Sequence, residues 1–169
     1  QCDDLPAHPD AAPLAGRTEV LPRVESVIAA TRADFRIGGD MAFYSPSHDF
    51  IQVPPHEAYF EPINWHRTAF HELSHWSGAA ARLGRDLSGS FGSKSYAREE
   101  LVAEMAGAFV CATLGIVPTV RHADYIGSWL EVLHEDNRAI VRAASQASKA
   151  ADYILGFLPD APAAPVQVV

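Results

Sequence analysis

Between Glu19 and Ala30 the apolar residues Val20, Val24, Val27 and Ile28 recur at intervals of three and four, which predicts a helix with one buried face. The rhythm then changes to alternation over Asp34-Phe35-Arg36-Ile37, which Gly38-Gly39 ends. Ala42-Phe43-Tyr44 and Phe50-Ile51-Gln52-Val53 flank Ser45-Pro46-Ser47-His48-Asp49. That is the pattern of a hairpin with a five-residue loop, and Pro54-Pro55 closes the sheet. From Trp65 onward the spacing is helical. One helix is predicted from about Ile63 through His75 to a stop near Gly78, followed by a Gly-, Ser- and Asp-rich loop over residues 84–95. A second starts near Tyr96, carries Leu101, Met105, Ala108 and Phe109, and stops at Gly115 and Pro118. Ile126, Trp129, Leu130 and Leu133 mark a third; Ile140, Ala144, Ala147, Ala151 and Ile154 mark a fourth. A helix, a small antiparallel sheet and then a helical bundle make an α+β fold.

The proline-rich ends break these rhythms. Residues 1–17 read as a flexible leader or linker, residues 18–156 as the single domain, and residues 157–169 as a Pro/Ala-rich tail. A chain of 169 residues is long enough for one core and too short for two ordinary domains. Hydrophobic residues make up 48%, yet the apolar runs are interrupted every few residues, so no segment predicts a membrane span. No charged-then-apolar leader is visible at the start. A net charge of −8 repels phosphate backbones, which argues against nucleic-acid binding by this segment alone. Two cysteines do not make a disulfide framework: Cys111 lies in an apolar helical pattern as a core residue, and Cys2 lies in the leader. The expected compartment is the cytoplasm.

The chemistry concentrates in His71-Glu72-Leu73-Ser74-His75. Two histidines four apart project from one helical face and can bind one ion. Glu72, one residue round, can take a proton from a water that the ion activates. With 8 histidines and ten glutamates in 169 residues, chance supplies roughly 0.02 such matches. Ala69, Phe70, Leu73 and Trp76 make the same helix a buried one, which two solvated histidines would not require. A catalytic site of this type needs a third protein ligand. The next helix offers Glu99, Glu100 and Glu104. Glu100 and Glu104 share a face, so one can ligate while the other holds a ligating histidine; Glu99 points about 100° away and suits the positive helix end. Glu100 is the leading ligand; Glu99, Asp86 and Asp124 stay open. The expected cofactor is one zinc ion per chain, with manganese or another divalent ion as the alternative.

The wider sequence resembles a known family. His71-Glu-Leu-Ser-His-Trp-Ser-Gly78, Arg82-Leu83, Phe91-Gly92 and Tyr96-Ala-Arg-Glu-Glu-Leu-Val-Ala-Glu104 resemble the zincin-like domain of ArdC-type antirestriction proteins, found also at the C-terminal end of TraC-type plasmid primases. The likeness extends upstream to Gly38–Pro46 and Ile51–Pro55, and downstream to Tyr125–Leu130 and Ala147–Tyr153. It implies a zincin-like fold, a metallopeptidase site and a bacterial, plasmid-borne context in which incoming DNA is protected from restriction. It also implies an upstream single-stranded-DNA-binding domain, so DNA is a partner only through that domain, while a peptide or protein substrate and a host restriction enzyme are partners of this one. The rival reading is a metal-stapled docking domain without proteolysis.

Further candidates follow. His122 and Tyr125, three apart on one helical face, are candidate oxyanion stabilisers, as a histidine or tyrosine is in related zincins. Tyr44 is expected in core packing, with a place in the cleft lining as the alternative. Phe50–Val53 is expected to offer a strand edge to an extended peptide. His48, His56, His66 and His134 read as solvated surface residues.

Overall fold

The computed structural model describes residues 17–117, 129–130, 133–134, 136 and 138–158, with side chains from residue 22 onward. Helix α1 (Arg17–Thr31) leads into strands β1 (Asp34–Ile37), β2 (Phe43–Ser45) and β3 (Phe50–Val53). Helices α2 (Ile63–Ser77), α3 (Lys94–Thr113) and α4 (Ala139–Leu155) follow. None of the described helices is long and apolar enough to cross a membrane. Trp129, Leu130, Leu133 and His134 are helical; the remainder of the predicted third helix lies outside the described residues.

The hairpin forms with β2 antiparallel to β3, Tyr44 opposite Ile51, joined by the four residues Pro46–Asp49 rather than five. The predicted all-antiparallel sheet is corrected: β1 pairs parallel to β3, Phe35 opposite Ile51, giving the order β1-β3-β2 in a mixed sheet. Burial explains why β3 takes the centre. Its Ile51 and Val53 are fully buried, whereas Ile37 at the end of β1 is 58% exposed. A strand with a wholly buried apolar face gains most from a partner on each side. The consequence is a second correction: Phe50–Val53 has no free edge, and β2 is an edge strand instead.

One core joins the layers. Val24 and Val27 of α1, Ile51 and Val53 of β3, Trp65, Phe70, Leu73 and Trp76 of α2, Val110 of α3 and Ile154 of α4 pack together. The Trp65 indole donates to the Pro54 carbonyl at 2.8 Å, tying the end of the sheet to the start of α2. A second cluster, Leu101, Val102 and Ala106 with Ala143, Ala147 and Ala150, binds α3 to α4. Small side chains let those two helices approach closely. The buried stripe of α3 is rotated from the predicted one: Ala103, Ala106, Gly107 and Val110 face inward, while Ala108 and Phe109 are exposed. Likewise α4 buries Ala143 where Ile140 was predicted, and Ile140 is 44% exposed. Alanine and glycine supply much of both buried stripes, beside Leu101, Val102, Val110 and Ile154.

Candidate metal centre

Helix α2 projects His71 and His75 from one face, and α3 crosses that face with Glu99, Glu100 and Glu104. Ser93 caps α3, its side chain accepting from the Tyr96 amide at 3.2 Å. Gly107 lies at the crossing, where a Cβ would make ordinary contact with the His71 backbone nitrogen at 3.4 Å.

His71 Nε2 and His75 Nε2 are 3.1 Å apart. The Glu100 carboxylate straddles both, Oε2 3.5 Å from His71 Nε2 and Oε1 3.2 Å from His75 Nε2. Two donors on a tetrahedral ion, each about 2.0–2.1 Å from it, lie roughly 3.3 Å apart, so these separations suit one small divalent ion. Among the described residues His71, His75 and Glu100 are the group of three with ligating atoms converging in this way. The donor set of two imidazoles and a carboxylate suits zinc or a neighbouring divalent metal.

Each outward ring nitrogen faces a carboxylate. His75 Nδ1 is 3.2 Å from Glu99 Oε1, and Glu104 Oε1 lies 3.3 Å from His71 Nδ1, at ion-pair distance though off the line of a hydrogen bond. Glu104 also takes the Arg67 guanidinium, and Glu99 takes Arg85. Burial by itself would lower the imidazolium of His71, but the carboxylates of Glu100 and Glu104 more than reverse this and push it up to about 10. His75 is raised against burial in the same way by Glu100 and Glu99. The three glutamates are lowered against burial by the same contacts. An entering ion therefore displaces protons, and its affinity falls with falling pH.

Glu72 is 6% exposed, and burial raises its carboxyl above the usual range despite the nearby histidines and a hydrogen bond from the Tyr44 backbone. With His71, His75 and Glu100 it lines a cleft of about 340 Å³, which Phe43, Tyr44 and Tyr96 also line. Tyr44, expected in core packing, sits at the core's edge and also lines this cleft. Its hydroxyl donates to Asp49 at 2.8 Å and accepts from Arg82 at 3.1 Å; burial first, then Asp49, pushes it up to about 12.

The family model described as zincin-like metallopeptidase matches residues 22–146. The chain belongs to that family. This zincin-like domain is 42% identical over 148 residues to the Sinorhizobium fredii protein y4eC, covering 86% of this chain and 48% of that protein. It is 45% identical over 137 residues to the Escherichia coli DNA primase TraC, covering 80% of this chain and 13% of the primase. The crystal structure of the Mn(II)-bound antirestriction protein ArdC from plasmid R388 superimposes with a TM-score of 0.73 at 38% identity, over 92% of this chain and 58% of that one. Its metal-free structure gives 0.71 at 36% identity. The domain thus spans about half, or much less, of the length of these relatives.

Several sequence expectations need correction. Glu99, suited by sequence to the helix dipole and left open as a ligand, is a half-buried partner of His75 and Arg85. His66 is fully buried and His56 half-buried, its ring stacked on Trp65 at 3.9 Å, whereas His48 and His134 are exposed. Asp86 lines the cleft but accepts from the Ser88 amide and hydroxyl, outside the three-donor group. His122, Asp124 and Tyr125 lie outside the described residues. Sequence reasoning missed Arg67 and Arg85. Arg67 stands four residues before His71 on the same helical face, and that spacing was an available signal.

Proposed function

We propose that this domain is a metallopeptidase holding one zinc ion per chain through His71, His75 and Glu100, with Glu72 as general base. The observation that carries the reading is the convergence of those three donors beside a buried Glu72 in one cleft. Closed structural zinc sites take four protein ligands, while catalytic ones take three and leave a position open. The ion, when bound, supplies Lewis acidity toward water and a carbonyl oxygen. Glu72 takes the proton of the attacking water and returns it to the leaving amine. Burial raises its carboxyl toward the working pH, where a base transfers protons in both directions. His122 and Tyr125 are proposed as oxyanion donors. Manganese, the ion of the R388 ArdC structure, is the alternative metal.

An extended peptide substrate is proposed to lie along β2, the edge strand of the sheet among the described residues, whose Phe43 and Tyr44 line the cleft. Antirestriction is the role of the R388 relative and priming that of TraC. By similarity we assign this domain to a mobile element acting in the bacterial cytoplasm, with a host restriction enzyme as protein partner and single-stranded DNA held by an upstream domain.

The test uses the full-length protein in a restriction-protection assay, with hydrolysis of a mixed peptide library measured in parallel. His71→Ala should lose the ion. Glu72→Ala should keep ion and fold while hydrolysis drops about 10²–10⁴-fold. Protection lost in both variants supports proteolysis as the protective step. Protection kept in Glu72→Ala and lost in His71→Ala would make the domain a metal-stapled docking surface instead.

A further inference from the structure

We propose that Arg85 is a positioning residue of the metal centre: through Glu99 it holds the His75 ring with Nε2 turned toward the ion, and residue 78 is glycine to make room for its guanidinium. The inference rests on the metal reading given above. An imidazole that binds an ion through Nε2 keeps its proton on Nδ1, so an acceptor at Nδ1 settles both tautomer and ring direction. For His75 that acceptor is Glu99 Oε1 at 3.2 Å. Glu99 is in turn gripped by Arg85, Nη2 2.8 Å from Oε1 and Nε 3.0 Å from Oε2. This is the two-pronged pairing that a guanidinium makes and an ammonium does not. The same guanidinium reaches back to α2, donating to Ser77 Oγ at 3.0 Å and to the Ser74 carbonyl. Its side chain is only 6% exposed. Arg85 therefore clamps the C-terminal turn of α2 to the first turns of α3, with His75 between them.

Gly78 supplies an independent observation. It ends α2 at φ −77 and ψ −12, a backbone that any residue adopts, so conformation does not call for glycine there. Space does. A Cβ at 78 would lie 2.8 Å from Arg85 Nη2, 2.9 Å from its Cζ and 3.0 Å from the His75 carbonyl oxygen, so the guanidinium is the nearest obstacle and the helix's own carbonyl the next. A guanidinium held at this many points cannot retreat without releasing Glu99. Charge points the same way. Glu72, Glu99, Glu100 and Glu104 set four carboxylates around one dication, and Arg85 on Glu99 with Arg67 on Glu104 brings the group to neutrality. Buried charges persist when balanced and hydrogen-bonded.

The experiment loads the chain with Co(II) and measures affinity by chelator competition together with the visible absorption band, with circular dichroism reporting the fold. Arg85→Gln and Gly78→Ala are each expected to weaken Co(II) binding about 10–100-fold and to alter the band. The double variant should be no weaker than the worse single one, since both remove the same contact. Arg85→Lys should recover part of the affinity, and Arg36→Gln, exposed on β1, should change neither reading. Wild-type affinity and spectrum in Arg85→Gln would overturn the proposal, and full additivity with Gly78→Ala would overturn the link to residue 78. If Arg85→Gln does not fold, Gly78→Ala and Arg85→Lys decide by the same readings. A wild-type chain that binds no Co(II) would instead overturn the metal reading beneath it.

Discussion

Both ring nitrogens of His66 are buried without a hydrogen-bond partner among the described residues, the ring set edge-on to Trp65 at 5.4 Å and to His56 at 5.8 Å. Burial, and then the neighbouring His56, lowers its imidazolium to about 4. The sign follows directly. The unfolded ring takes up a proton near pH 6.5 and the folded ring near 4, so the unfolded state binds more protons between those values. Stability is fully present above about pH 6.5, falls as the pH drops toward 4, and loses on the order of 3 kcal/mol in all. Urea titrations from pH 7 to pH 4 should show that loss in wild type and a much shallower one in His66→Leu. Equal slopes would mean that the ring is not held neutral. The residue also shows how little a local pattern says about depth. Asn64 and Arg67 beside it look polar, yet the 66-70-73-77 stripe of α2 is the face turned to the core.

At the scale of elements, the position of α3 against α2 sets the centre, and Gly107 lies where α3 meets the His71 backbone. A Cβ on residue 107 would lie at 3.4 Å and 3.5 Å from the His71 backbone, ordinary contact that alanine can make. Gly107→Ala should therefore hold or raise stability, by up to about 1 kcal/mol of helix propensity. Leucine has no space there. Gly107→Leu should cost about 1–3 kcal/mol and push Glu100 and Glu104 away from His71, lowering metal affinity more than Gly107→Ala does. Thermal melts and chelator competition on the two variants check this, and equal metal affinity in both would show that the crossing does not set the site. Within α3 the helical period shows that Glu100 and Glu104 share a face. It does not show which way that face turns.

For the whole molecule, the charge of −8 bears on partners more directly than any single contact. Phosphate backbones are held by clustered lysine and arginine, and here Arg67, Arg82 and Arg85 are each paired with a carboxylate. The isolated chain should bind single-stranded DNA with a Kd no tighter than about 10⁻⁴ M at physiological salt, the weak end of non-specific binding. Submicromolar, salt-sensitive binding in a fluorescence-anisotropy titration would show that a local basic patch outweighs the net charge. Fusing a basic DNA-binding domain upstream should confer DNA binding that the chain alone lacks.

The sequence alone determined what is local. Helical spacing set His71 and His75 on one face with Glu72 beside them, and turn chemistry marked the β2–β3 hairpin, because neighbours within four residues are placed by the backbone period itself. Family membership was also readable, carried by motifs that run in order along the chain. Tertiary structure decided what is not local. Strand order depended on β3 having the buried face, so β1 paired parallel and β2 took an edge. The tasks of Glu99, Glu100 and Glu104 depended on the azimuth at which α3 docks on α2, which no periodicity encodes. Arg85 reached the centre from a loop ten residues beyond His75 because an irregular segment folds back to satisfy buried charge, and such returns leave no repeat in the sequence.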